Sequence, residues 1–282
     1  MPPSTLLTVT PAASRRAPTR RSVPWWLPTS VVLLAVLAVV WPAVRARRAQ
    51  LTASCRVSNG TVSYPLTPAQ AENATTIATV GKAMGLADHA VTIALATSLQ
   101  EARLQNLPYG DRDSLGLFQQ RPSQGWGTRS EVTTPHIAAQ LFYAHLAQVP
   151  DWRSLPVTVA AQRVQHSAAP TAYAQWEDEA RVIAVALTGE SSAGLTCHFD
   201  APRHPVTAST TGPALRSALA NEVGLPGPGD AVDQARGWTV ASWLVGHADQ
   251  FGVGQVTFDG RRWTAATGAW RPDPVADARV RY

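Results

Sequence analysis

The chain has 282 residues and a formal net charge of +5, which on its own would suggest a nucleic-acid partner. The positive charge is concentrated at the N-terminus, because seven arginines and no acidic residue precede residue 49. Without those seven, 17 of the 24 basic residues remain against 19 acidic ones, so the rest of the chain has a formal charge of −2. The composition therefore argues against nucleic-acid binding.

The N-terminal arginines flank a hydrophobic stretch of 23 uncharged residues between Arg21 and Arg45. Its centre, residues 31–40, contains only Val, Leu and Ala, and tryptophans stand near both ends. About 20 helical residues cross the hydrocarbon core of a bilayer. We therefore predict a single transmembrane anchor over residues 24–44 with the N-terminus inside. A cleaved signal peptide is the alternative, and either interpretation places the rest of the chain outside the cytoplasmic membrane.

Composition shifts divide the chain further. The predicted segments are a disordered cytoplasmic tail (1–23), the anchor (24–44), a stalk (45–65), a helical domain (66–197), a linker (198–213) and a small α+β domain (214–282). The two cysteines, Cys55 and Cys197, bracket the helical domain on the exported side. An even pair in an oxidising compartment predicts a disulfide, and two free buried thiols are the alternative.

Capping signals and apolar spacing predict five helices within the helical domain. The first begins with a capping box formed by Thr67 and Gln70 and ends before Gly85. The second is predicted to be capped by Asp88. The predicted bounds are 67–84, 88–101, 134–149, 157–165 and 170–187. Residues 107–124 have turn composition and predict a loop or a small β element. The predicted fold class is mostly α, with a small β insertion and a small α+β C-terminal domain.

Glu101 falls at the end of the second predicted helix. The residues seven, four and three positions before it, Ala94, Thr97 and Ser98, are all small. We therefore expect its carboxyl to look into a cleft beside apolar walls, where burial raises the pKa and suits the group to general acid catalysis. The alternative is a solvated glutamate in the last turn of a helix.

A short motif follows Glu101. Ser114 is followed by Gly116-Leu117-Phe118-Gln119, and Pro122 comes soon after. This arrangement resembles the signature of the lysozyme-like lytic transglycosylases, in which a glutamate at a helix end precedes a serine and a Gly-Leu-Met-Gln turn. A looser third element, residues 165–170 with Tyr173, is similar to the Asn-Ala-Gly turn and tyrosine of that family. The resemblance covers about residues 66–190.

The resemblance implies a lysozyme-like fold and cleavage of peptidoglycan between N-acetylmuramic acid and N-acetylglucosamine, without a cofactor. Glu101 would protonate the glycosidic oxygen and then act as base while the muramyl 6-hydroxyl closes on C1. Ser114, Gly116 and Gln119 would line the sugar cleft, and Tyr173 would hydrogen-bond to Glu101. The chain departs from the family pattern at Ala102 and in the third element, so a non-catalytic wall-binding or interaction protein stays open as a second interpretation.

Other residues leave further alternatives. A hydrolase would need a second carboxylate, and Asp111 and Asp113 are the close candidates, although an ordinary turn-forming role is the favoured interpretation for both. Trp126, between two glycines, is either a platform for stacking a sugar or a packing anchor. The histidines share no ligand spacing, so we predict no metal site.

The last segment carries fewer signals. Residues 237–248 predict a helix, and residues 254–258 alternate as a strand does. Asp259 and Gly260 then form a predicted turn into a second strand. The stretch 237–270 is similar to the C-terminal domain of some actinobacterial secreted wall proteins, without their His- and Asp-rich end. We predict a small α+β module that packs or binds wall material.

Overall fold

A computed structural model describes residues 53–167, 169, 171–199, 208–224 and 231–282. The predicted cytoplasmic tail and anchor lie outside these residues. Within the described ranges, no helix is long and apolar enough to cross a membrane. The described residues all belong to one compact unit.

The described chain is a mixed α+β fold, about half helical, with two small antiparallel sheets. The strands are β1 Ser54–Ser58, β2 Ser63–Leu66, β3 Leu195–His198, β4 Gln255–Phe258, β5 Arg261–Thr264 and β6 Ala269–Pro272. The helices are α1 Pro68–Ala83, α2 Asp88–Ala102, α3 Arg129–Val132, α4 Pro135–Ala147, α5 Val157–Gln165, α6 Glu177–Leu187, α7 Ala208–Ala218, α8 Gln234–Gly246 and α9 Ala248–Phe251. The helix content is therefore lower than that of the mostly α fold that the sequence predicted.

The predicted capping of α1 is confirmed and that of α2 is wrong by one residue. Thr67 and Gln70 form the reciprocal capping box of α1, and the chain leaves the helix through Gly85 at φ +71°. The N-cap of α2 is Ala87, which makes no side-chain capping bond. Asp88 instead lies in the first turn, where the helix dipole favours a carboxylate, and it pairs with Lys82 at 2.5 Å.

Helix α2 runs through the middle of the protein and packs against α1, α5 and α6. Its residues from Ala90 to Leu99 are all buried. The small residues before Glu101, namely Ala94, Thr97 and Ser98, are completely buried, as are Val91 and Leu95 on the other face of the helix. Small side chains here let the neighbouring helices approach closely, and the last turn of α2 reaches the cleft that Glu101 lines.

The segment predicted as a stalk contributes to a sheet. Strands β1 and β2 form an antiparallel pair, and β3 adds to the other side of β1. Cys55 and Cys197 lie directly opposite each other in the β1–β3 register and form the predicted disulfide. The chain before α1 therefore folds back on the end of the helical region, because its partner strand comes from 142 positions away.

Residues 107–124 form a loop, and the predicted β element reduces to one isolated bridge between Leu115 and Gln120. The apolar centre of this loop is buried, and Phe118 stacks on Phe142 with ring centroids 4.6 Å apart. Helix α5 has the predicted bounds, whereas α6 starts at Glu177, later than predicted, after a short 3-10 turn.

The C-terminal segment shares the hydrophobic core of the helical region. Strands β4, β5 and β6 form the second sheet, of which the sequence predicted the first two strands and their turn. The indole nitrogens of Trp263 and Trp270 donate to the carbonyl oxygens of Cys197 and Leu195 at 3.0 and 2.8 Å. These bonds cover the free edge of β3. Helix α7 begins within the predicted linker.

Candidate active site

The end of α2 fixes the position of Glu101. Immediately after it, Arg103 and Leu104 adopt left-handed backbone angles of φ 53° and 58° and stop the helix. Two side chains of α1 hold this turn in place. Gln70 donates to the carbonyl oxygen of Arg103 at 2.9 Å, and Asn73 donates to that of Leu104 at 2.8 Å. The carboxyl of Glu101 is therefore supported by the helix pair α1 and α2.

Glu101 is held by a small network of hydrogen bonds. The phenol of Tyr173 donates to its Oε1 at 2.7 Å, which is the contact that the family resemblance implies. The side chain of Gln165 also hydrogen-bonds to Glu101, and that of Ser167 to Tyr173. Burial raises the pKa of Glu101, and the bonds from Tyr173 and Gln165 oppose that rise. Burial, followed by the nearby charge of Glu101, raises the pKa of Tyr173.

Glu101 opens into a polar cleft of about 610 Å³. Three of the predicted substrate-binding residues, Ser114, Gln119 and Trp126, line it with Glu101. The other lining residues are Asp111, Arg121, Gln124, His145, Val164, Gln165, His166 and Ser167. Tyr173 is buried behind this surface and contacts two of the lining residues, Glu101 and Ser167.

Gly116 has a structural role rather than the predicted place in the cleft wall. It is buried, its amide donates to the carbonyl oxygen of Leu107 at 2.8 Å, and it does not line the cleft. Its φ of +75° favours glycine, and a Cβ at this position would overlap the carbonyl oxygen of Val132. Gly116 therefore shapes the loop that carries Gln119, whose amide donates to the carbonyl of Tyr109 at 3.3 Å.

The two candidate second carboxylates occupy different places. Asp113 is engaged within its own loop, where it accepts bonds from the backbone and hydroxyl of Ser123 and from Arg121. These bonds hold its pKa well below the usual range, and it does not line the cleft. Asp111 does line the cleft, and its side chain is exposed. Of these two aspartates, only Asp111 therefore lines the same cleft as Glu101.

Trp126 is a packing residue whose ring also lines the cleft. Its indole ring stacks on His145, with ring centroids 4.0 Å apart and an angle of 16° between the planes. It packs against the core and is half-buried, and both rings line the cleft. Burial, followed by the proximity of His166, lowers the pKa of His145. This wall of the cleft is therefore aromatic, and the lowered pKa of His145 favours its neutral form.

Gln165 is a site residue to which the sequence analysis assigned no role of its own. It is the last residue of α5, and besides Glu101 it bonds the carbonyl oxygen of Phe118 at 2.8 Å. Gln165 thus connects the 107–124 loop to the carboxyl of Glu101. Two features of the sequence could have identified Gln165 as a site residue. It lies at the end of a predicted helix, and it is the first residue of the looser third element.

The described residues contain no group of three or more His, Cys, Asp or Glu that could hold a metal ion. No protein-family model matches the chain, and no curated protein shows significant similarity to it. The function is therefore argued from the geometry and chemistry of the site.

Proposed function

We propose that this chain is a lytic transglycosylase that cleaves peptidoglycan outside the cytoplasmic membrane. The observation that carries the proposal is the environment of Glu101. It is a partly buried carboxyl with a raised pKa, held by Tyr173 and Gln165, at the surface of a polar cleft large enough for sugar rings. A carboxyl in that state is protonated over a wider pH range than an exposed one, as a general acid requires.

The proposed reaction uses Glu101 twice. As acid, it gives its proton to the glycosidic oxygen while the bond from that oxygen to the muramyl C1 breaks. As base, the resulting carboxylate takes the proton of the muramyl 6-hydroxyl while that oxygen bonds to C1. The products are a 1,6-anhydromuramyl end and a free hydroxyl on the leaving sugar, and Glu101 returns to its protonated form.

The surrounding residues support these steps. The bonds from Tyr173 and Gln165 favour the carboxylate, so they stabilise Glu101 once it has given its proton away. Because Tyr173 is buried, its phenol also fixes the direction of the carboxyl. Trp126 and Gln119 provide an aromatic face and an amide at the cleft, which suit the apolar faces and hydroxyls of a sugar.

The fold and location are part of the proposal. A buried α2 that ends in Glu101, followed by the 107–124 loop and by Tyr173, is compatible with a lysozyme-like domain. The Cys55–Cys197 disulfide supports an oxidising, exported location, as does the predicted anchor over residues 24–44. Peptidoglycan lies in that compartment.

A muramidase is the second candidate, and Asp111 is the observation that favours it. Its exposed carboxylate lines the same cleft as Glu101, where it could activate a water molecule or stabilise positive charge at C1. The two reactions differ in their products. A hydrolase leaves reducing muramic ends, and a transglycosylase leaves anhydro ends.

Mass spectrometry of the soluble fragments released from purified peptidoglycan tests the proposal. The full chain in detergent should release anhydromuramyl fragments, and Glu101→Gln should release none. Glu179→Gln is the matched control, because Glu179 also has a pKa raised by burial but does not line the cleft. Reducing ends would favour the muramidase, and a folded protein that binds the wall without releasing fragments would indicate a binding protein.

A further inference from the structure

A second groove, of about 490 Å³, adjoins the cleft that holds Glu101. The two share His145, Val164 and His166 as lining residues, so the two histidines stand at their boundary. The second groove continues along α5 and the turn that follows α4, where Gln162, Arg163 and Pro150 line it. A ligand larger than the sugars at Glu101 could extend from one depression into the other.

The charge of this second groove has one sign. None of its lining residues is acidic, and its positive charge comes from Arg163. Arg163 is exposed, and its guanidinium makes only one long hydrogen bond within the described residues, from Nη1 to the carbonyl oxygen of Pro150 at 3.4 Å. Most of its donors therefore face solvent. A guanidinium in this state can form a bidentate pair with a carboxylate.

Helix α5 connects the second groove to the reacting carboxyl. Arg163 is two positions before Gln165, which hydrogen-bonds to Glu101. Two residues advance a helix by about 3 Å along its axis. Arg163 therefore lies within one helical turn of Gln165, with Val164 between them lining both depressions. The second groove thus begins beside the cleft in which the proposed reaction would hold the muramyl sugar.

The proposed substrate carries a suitable anion at that position. The muramyl sugar bears a lactyl group on its ring, and the lactyl group carries a short peptide with free carboxylates. We propose that the second groove binds this peptide stem, with Arg163 pairing with a stem carboxylate. This inference rests on the proposed function and adds a substrate preference to it: glycan with peptide stems binds and reacts better than the same glycan without them.

Binding to the full chain carrying Glu101→Gln tests the inference without turnover. The probes are soluble glycan strands with tetrapeptide stems and the same strands after an amidase has removed the stems. We expect the stem-bearing strands to bind about 10-fold more tightly, which corresponds to about 1.4 kcal/mol. The difference should shrink as salt concentration rises, because the arginine is exposed to solvent.

Two further variants in the same background locate the effect. Arg163→Gln should remove the preference for stems while leaving affinity for stem-free strands unchanged. Arg129→Gln is the matched control, because Arg129 is also exposed and also donates to a proline carbonyl, that of Pro108, but lines neither depression. Equal binding of the two strands, or a preference that survives Arg163→Gln, would overturn the inference.

Cleavage rates of the two strands, measured with protein that keeps Glu101, distinguish a failure of this inference from a failure of the proposed function. Cleavage of both strands at equal rates, with equal binding, would retain the transglycosylase and reject the stem groove. Stem-selective binding that depends on Arg163, without cleavage of either strand, would retain the groove and reject the enzyme. Preferential cleavage of stem-bearing strands, lost in Arg163→Gln, supports both.

Discussion

Tyr173 donates its phenolic hydrogen to Oε1 of Glu101 over 2.7 Å, although the two residues lie 72 positions apart. Burial raises the pKa of Glu101, whereas this bond lowers it, so the carboxyl is held between two opposing influences. A group that must act first as acid and then as base needs such a balance, because each step requires a different protonation state.

Replacing Tyr173 by phenylalanine should shift the pH dependence of glycan cleavage. The pKa of Glu101 should rise, because a bond that favours the carboxylate is lost. The acid form then persists to higher pH, so the loss of activity on the alkaline side should move upward. Hydrogen bonds to charged groups contribute about 1.5–3 kcal/mol, so the maximal rate should fall by roughly 10- to 100-fold. The measurement is kcat/KM against pH.

Tyr143→Phe is the control for that experiment. Tyr143 is likewise completely buried, and its phenol donates to the carbonyl oxygen of Ile77 at 2.9 Å, away from the cleft. The loss of this phenol should reduce stability without moving the pH profile. An unchanged profile in Tyr173→Phe, or an equal shift in both variants, would argue against a role for Tyr173 at Glu101.

Glu101→Gln should change stability in a pH-dependent way. A raised pKa means that the folded state prefers the protonated carboxyl, so this group's contribution is fully present below the unfolded-state pKa of about 4.5. That contribution is lost as pH rises through the folded pKa. Since glutamine does not titrate, the melting temperature of the variant relative to the original protein should be higher at pH 7 than at pH 4.

Glu131→Gln should show the opposite sign. Bonds from the backbone and hydroxyl of Thr128 lower the pKa of Glu131, so the folded state prefers its carboxylate. That contribution is present above the unfolded-state pKa and disappears as pH falls through the folded pKa. Glu131→Gln should therefore destabilise the protein at pH 7 and have less effect at low pH. The same sign for both variants in thermal melts would contradict the assigned environments.

Local signals in the sequence were sufficient where the partners are close along the chain. The capping box of Thr67 and Gln70 involves residues three apart, and α5 has an uninterrupted helical pattern with the predicted bounds. Glu101 was placed at a helix end for the same reason. The pairing of Cys55 with Cys197 could be predicted despite their separation only because no other cysteine is present.

Errors occurred where distant residues decide the structure. The strand segments before residue 66 were predicted to be part of the stalk (45–65), because the strand that pairs with β1 comes only after α6. Gly116 was assigned to the cleft, whereas its conformation is required by the carbonyl of Val132. Asp113 was predicted as a candidate catalytic residue, whereas in the structure its carboxylate accepts hydrogen bonds from Arg121 and Ser123. None of these contacts has a periodic signature in the sequence.

Gly116→Ala should destabilise the protein and disturb the cleft. The substitution combines an unfavourable φ of +75° with an overlap between the new methyl group and the carbonyl of Val132. We expect a loss of about 2–5 kcal/mol in the free energy of unfolding. Gly85→Ala is the control, because Gly85 has a similar φ of +71° and open space around it. Gly85→Ala should lower the free energy of unfolding by only about 1 kcal/mol. Equal losses in chemical denaturation would remove the argument from overlap.

Loss of the disulfide should lower stability considerably. Replacing both Cys55 and Cys197 by serine frees a loop defined by a separation of 142 residues. The chain-entropy model gives a loss of about 4–5 kcal/mol for such a loop. Reductant should destabilise the original protein by a similar amount and leave the double-serine variant unchanged. Equal melting of the original protein with and without reductant would show that the bridge contributes little.

The C-terminal sheet should unfold together with the helical region. Trp263 is completely buried, and its indole donates to Cys197 in β3, so the two sheets meet at one edge inside a shared core. We expect a single calorimetric transition for the described part of the chain. Trp263→Phe should lower the temperature of that transition by several degrees, because a buried bond and about 1–3 kcal/mol of packing are lost. A separate transition at low temperature, sensitive to Trp263→Phe alone, would instead indicate a C-terminal domain that folds independently.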